Sequence, residues 1–129
     1  MDRENERRRE SRLRYYWPIW FAENPDSTLS QGQMVDISST GAAFTCYAEE
    51  GCPHPGGHIT ARFSVPHYSG DDAFDMANFT RWGHVCRVES VNSYLRRVAV
   101  QFAEPLPFKP GEQANDQTKA EQVLDTARA

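Results

Sequence analysis

No stretch of this sequence approaches the roughly 20 consecutive apolar residues that a membrane-spanning helix needs, so membrane insertion is not expected. The opening residues, Met-Asp-Arg-Glu-Asn-Glu-Arg, lack the apolar centre of a secretory signal, and a cytoplasmic protein is expected. Cysteine is scarce. Cys46, Cys52 and Cys86 are too few, and odd in number, for a disulfide framework, so reduced thiols are expected. An excess of positive charge is missing too. With 14 basic and 18 acidic residues the net charge is −4, which disfavours polymeric nucleic acid as a partner. There is no internal repeat.

Familiar catalytic and metal patterns are also lacking. Cys46, Cys52, His54 and His58 do not have zinc-site spacing, and no second pair completes them. Asp71, Asp72 and Asp75 lack the glycine and terminal glutamate of a calcium-binding loop. His84 and Cys86 would share a strand face, but nothing supplies an oxyanion site, and Cys86 reads as a small core residue. The expectation is a protein that is not an enzyme, with no catalytic residue, no metal and no cofactor.

What is present is enough chain for one domain with its own core: 129 residues, 39% hydrophobic. Aromatic residues, at 12%, lean toward strands. Residues 1–14 form an Arg-rich leader with little to bury, expected to be flexible until something binds it. Tyr15–Ala22 reads as a strand, with Pro18 marking an edge or bulge. Gln33–Ser38 alternates, placing Met34, Asp36 and Ser38 on one side and Val35 and Ile37 on the other. Ser39-Thr40-Gly41 is a turn, and Ala42–Tyr47 a further strand. A Gly- and Pro-rich loop over Glu49–Gly57 follows. Strands are expected at Ile59–Val65, Trp82–Val91 and Tyr94–Phe102, with a long acidic connection over Pro66–Asn78. Trp17, Trp20 and Trp82 suit either a stacking surface or the core, and strand placement favours the core for some of them. Residues 109–129 are a tail in which Ala120, Val123, Leu124 and Ala127 carry a weak helical stripe. Short strands without strand–helix alternation indicate an all-β barrel or sandwich over residues 15–108.

Two constellations carry chemistry. Arg7, Arg8, Arg9, Arg12 and Arg14 form a basic hook on an acidic chain, with Glu10 the one acid among them. A planar guanidinium donates paired hydrogen bonds to phosphate or to the N7/O6 edge of guanine. In Asp36-Ile37-Ser38-Ser39-Thr40-Gly41, a carboxylate can accept from the N–H groups on guanine's Watson–Crick edge. A hydroxyl beside it can serve phosphate or base. Gly41 is read as the position where the backbone takes a positive φ or a ligand approaches closely. Each constellation has a plainer reading: a solvated basic tail for the first, and a strand end with local hydrogen bonds for the second.

Together, Arg8-Arg9-Glu10-Ser11-Arg12 and Asp36-Ile37-Ser38-Ser39-Thr40-Gly41 resemble the paired RxxxR and [D/N]xSxxG motifs of PilZ domains, bacterial receptors for cyclic di-GMP. The likeness spans roughly Arg7 to Phe102. It implies a six-stranded antiparallel β-barrel, often with a terminal helix. It also implies a cyclic di-GMP site made of Arg8, Arg12, Asp36, Ser38 and Gly41, with Arg7 a further candidate. Its implied action is that of a stand-alone receptor or adaptor: ligand draws the leader onto the barrel, and a downstream effector protein reads the change. The alternatives are a barrel that works through protein contacts without the nucleotide, and a single-strand nucleic-acid binder using the arginines and tryptophans. Net charge and the paired motifs oppose the second.

Overall fold

The computed structural model describes residues 10–113 apart from 25, 27 and 69–73. Its strands are β1 (Leu13–Arg14), β2 (Pro18–Ala22), β3 (Ser30–Ile37), β4 (Gly41–Tyr47), β5 (His58–Tyr68), β6 (Phe74–Ser90) and β7 (Leu95–Phe102). The sheet runs β1-β3-β2-β5-β6-β7-β4, and β4 also pairs with β3. That pairing closes β2–β7 into a six-stranded antiparallel barrel, as expected. Among the described residues no helix is long and apolar enough to cross a membrane. The one helical piece described is a single 3-10 turn, Pro110–Glu112. The helical stripe expected beyond it lies outside the described residues.

Alternation fills the barrel. Ile19 and Phe21 from β2, Phe44 and Cys46 from β4, Phe63 and Val65 from β5, and Val98, Val100 and Phe102 from β7 form one buried cluster. Phe21 and Phe44 meet at 4.9 Å between ring centroids, and Phe63 stacks on Phe102 at 5.4 Å. The same alternation turns Trp20 and Trp82 outward. Trp17, Trp20 and Trp82 are all 40–53% exposed, correcting the core placement favoured for some of them. Trp82 instead stacks on His58 across the outer face.

Two β-bulges depart from the alternation read along the sequence. In β3 the pairing passes from Met34↔Phe44 to Asp36↔Ala43, leaving Val35 as the extra residue. Met34 and Ile37 are therefore both core residues, and Val35 is not. In β6 the step from Val85↔Val100 to Arg87↔Ala99 leaves Cys86 unpaired and exposed, not a core residue. The acidic connection is also shorter than expected, because Tyr68 pairs with Phe74 and the hairpin continues through Pro66↔Met76. Gln113 Nε2 donates to the Pro66 carbonyl at 2.9 Å, and the Tyr68 N–H donates to Gln113 Oε1 at 2.7 Å. Asp75 is on β6; Asp71 and Asp72 lie outside the described residues.

Residues 10–14 are held on the barrel, whereas flexibility was expected through Arg14. Leu13 and Arg14 pair with Ile37 and Asp36, extending the edge of β3 that β2 also uses. Tyr15 secures the next step: its hydroxyl donates to the Ser64 carbonyl at 2.8 Å. Burial raises the pKa of that phenol well above the ordinary tyrosine range.

Candidate functional site

The bulge at Val35 creates the site by re-aiming one carboxylate. A regular strand with Met34 inside would also turn Asp36 inward, because residues two apart share a face. The extra residue shifts the phase, so Asp36 lies outside the core while Met34 and Ile37 remain within it. The described leader then covers Asp36, leaving it 9% exposed.

Asp36 is the hub. Arg12 Nη1 donates to its Oδ1 at 2.6 Å, and Arg97 Nη2 reaches its Oδ2 at 3.4 Å. Both guanidiniums remain partly exposed, 39% for Arg12 and 45% for Arg97. The pairs are therefore screened and contribute little to folding stability. The floor beside them is small: Ala43 on β4 pairs with Ala99 on β7, and Ala99 with Arg87 on β6. The result is a cavity of about 560 Å³, with Arg12, Arg14, Arg87 and Arg97 on its walls against Glu10, Asp36 and Glu89.

The turn after β3 is tied together by local hydrogen bonds, in line with its plainer reading. The Ser38 N–H donates to the Gly41 carbonyl at 2.8 Å, and its Oγ lies 3.4 Å from both Thr40 Oγ1 and the Gly41 oxygen. Ser38 thus organises the β3–β4 turn immediately beside Asp36. Gly41 does not occupy the positive-φ region; among the described glycines Gly56 does, at φ 84°. What Gly41 supplies is close approach. A Cβ there would sit 2.5 Å from the Val100 carbonyl oxygen, so the β4–β7 pair closes over this position only without a side chain.

Of the expected ligand residues, Arg12, Asp36, Ser38 and Gly41 come together at one end of β3 and β4. Arg7 and Arg8 lie outside the described residues. Arg14, read as solvated, lines the cavity, as do Arg87 and Arg97, which sequence reasoning missed. The signal for Arg97 was the outward phase of β7: with Val98, Val100 and Phe102 inside, Arg97 and Ala99 must face out.

Glu10 was missed as well. Its Oε2 accepts from the Ser39 N–H and its Oε1 from the Ser39 hydroxyl, each at 2.6 Å. A carboxylate therefore occupies the donors that the D-x-S-x-x-G turn presents. The following residue, Ser11, gives its N–H to Glu112 Oε2 at 2.7 Å. The leader is thus joined on one side to the turn and on the other to the segment that follows the barrel.

A second cavity, about 540 Å³, crosses β2, β5 and β6 between Trp20, Arg62 and Phe79. Among the described residues, Arg62 is the one charged residue on its walls.

A protein-family model described as PilZ domain matches residues 6–116. No curated protein matches the sequence. Among solved structures, the chain is similar to the Bacillus subtilis inhibitor of motility MotI/DgrA, at 14% identity with a TM-score of 0.57. That likeness covers 92% of this chain and 51% of the other, so this chain spans about half the length of that protein.

Proposed function

The chain belongs to the PilZ domain family, and on that premise we propose that it is a receptor for cyclic di-GMP that acts through a partner protein. The observation that carries the reading is the Arg12–Asp36–Arg97 cluster, set over an alanine floor beside the D-x-S-x-x-G turn. Guanine's Watson–Crick edge offers a carboxylate the same kind of parallel N–H donors as a guanidinium does. A guanine can therefore replace one arginine on Asp36, and the released arginine is free to take a phosphate. Arg8, with Arg7 as a further candidate, adds cations from the leader. Ser38 and Gly41 keep the turn beside Asp36 in place.

In this reading the switch is an exchange of partners for residues 10–14. Glu10 leaves Ser39 when two phosphates enter nearby, and Ser11 is drawn from Glu112. The contacts between leader and C-terminal segment then change, and a partner reads that surface. MotI/DgrA, described as an inhibitor of motility, is a neighbour in fold.

Arg12→Ala tests the reading. It is expected to weaken cyclic di-GMP binding at least tenfold in a calorimetric titration, a loss of about 1.4 kcal/mol or more. Lys109→Ala, exposed and away from the cavity walls, should bind like the parent. Equal losses in both would mean the site is elsewhere. Glu10→Gln should tighten binding by about fivefold, because one like charge beside the phosphates is removed. Weaker binding by that variant would place Glu10 in the bound-state scaffold rather than in competition with ligand.

A further inference from the structure

Away from the arginine site, at the far end of β4 from Gly41, Cys46 and Cys52 bring their sulfurs to 4.0 Å. Both are free thiols. Cys46 is buried at 5% exposure, pairs with Arg96 of β7 and points into the barrel core. Cys52 is half-buried, packs against that core from the loop after β4, and lies on the solvent side of the pair. The chain between them folds back on itself. The Ala48 N–H donates to the Tyr94 carbonyl and the Cys52 N–H to the Glu49 carbonyl, both at 2.9 Å, so Cys52 is carried back over Cys46.

We infer that Cys46 and Cys52 form a redox-active dithiol that a low-molecular-weight disulfide, such as oxidised glutathione, converts to an intramolecular disulfide. The partly exposed Cys52 reacts first. Its thiolate attacks one sulfur of the oxidant, forming a mixed disulfide and releasing one thiolate. Cys46 then gives up its proton and attacks the Cys52 sulfur, forming the internal bond and releasing the second thiolate. Two protein thiols are oxidised, one disulfide is reduced to two thiols, and both protons pass to the leaving thiolates. The sulfurs start in van der Waals contact and must close by about 2 Å to reach bonding distance.

The surroundings of Cys46 shape both the rate and the lifetime. Burial, then the neighbouring Cys52 and Glu49, push its thiol up to about 12, while Arg96 opposes them. Ring closure is therefore the slow step near neutral pH. Reversal is slow for the same reason, because attack at Cys52 must expel a poor leaving group, and Cys46 itself is shielded from solvent. The oxidised protein has its 48–51 turn tied to β4 and to the core.

The test uses the full chain carrying Cys86→Ser, which removes the exposed thiol that would otherwise give adducts or dimers. After incubation with oxidised glutathione, both remaining thiols should be lost. The monomer's mass should fall by about 2 Da, and a reductant should restore it. Tm should rise by about 5 °C in the oxidised form, because the closed loop constrains the unfolded chain. Cys52→Ser in the same background should show neither change. A stable glutathione adduct on Cys52 with Cys46 still free would overturn the inference, as would disulfide-linked dimers or two thiols that persist in the folded protein.

Discussion

Asp36→Ala is expected to weaken cyclic di-GMP binding about a hundredfold, a loss near 3 kcal/mol. In the free protein Asp36 holds Arg12 at 2.6 Å and Arg97 at 3.4 Å. Without the carboxylate the two guanidiniums repel each other and lose their common anchor. The guanine loses its acceptor in the bound state, so the substitution acts on both sides of the equilibrium. Folding should change far less. Both arginines are partly exposed and rehydrate when Asp36 is removed, which limits the cost to about 1 kcal/mol. A thermal melt beside the titration separates the two effects: nearly unchanged Tm with lost binding is the expected pair. Asp36→Asn keeps the shape and one acceptor oxygen but no charge, and should fall between the parent and Asp36→Ala. A large drop in Tm together with lost binding would recast Asp36 as a structural residue.

Gly41→Ala is expected to destabilise the fold by about 2–3 kcal/mol and lower Tm by about 10 °C. The added Cβ would lie 2.5 Å from the Val100 carbonyl oxygen, a backbone atom that cannot swing aside. The β4–β7 pair would have to part where Gly41 faces Gln101 and Ala42 faces Val100. Such a loss is a large fraction of the roughly 5–15 kcal/mol that holds a domain of this size together. The turn beside Asp36 would move with it, so binding should weaken as well. Gly56→Ala provides the contrast. Gly56 has a positive φ of 84° but open space around its Cβ position, so strain alone acts there and the expected cost is about 1 kcal/mol. A Gly41 substitution as mild as the Gly56 one would remove the close-approach account.

The barrel was legible in the sequence because most strands alternate cleanly. Ile59, Ala61, Phe63 and Val65 on β5, and Val98, Val100 and Phe102 on β7, fall in the core as their spacing requires. The motifs were legible because their residue types are tied to anion and guanine chemistry. Two of those residues, Arg12 and Asp36, are in direct contact. What escaped depends on register. A bulge inserts one residue without marking it in the sequence, so the phase change at Val35, which parts Met34 in the core from Asp36 outside it, could not be read. The bulge at Cys86 likewise put a thiol read as core at the surface. Arg87 and Arg97 are distant in sequence from Arg12 and meet it only through the order β6-β7-β4-β3. Glu10 was read as a lone counter-charge, because its partner Ser39 is 29 residues away. Pro66 was read as the start of the acidic connection. It is accommodated within β5, with its carbonyl taken by Gln113 from beyond the barrel.

If the Asp36–arginine cluster receives cyclic di-GMP, the unsubstituted chain must bind it with measurable heat. Calorimetric titration with that nucleotide is the deciding measurement. Saturable heat at micromolar ligand is expected, about 8 kcal/mol of binding free energy, and raised salt should remove only part of it because the base contacts remain. No heat up to about 500 µM ligand, with an intact thermal melt, would rule out a cyclic di-GMP receptor and leave a barrel that works through protein contacts alone.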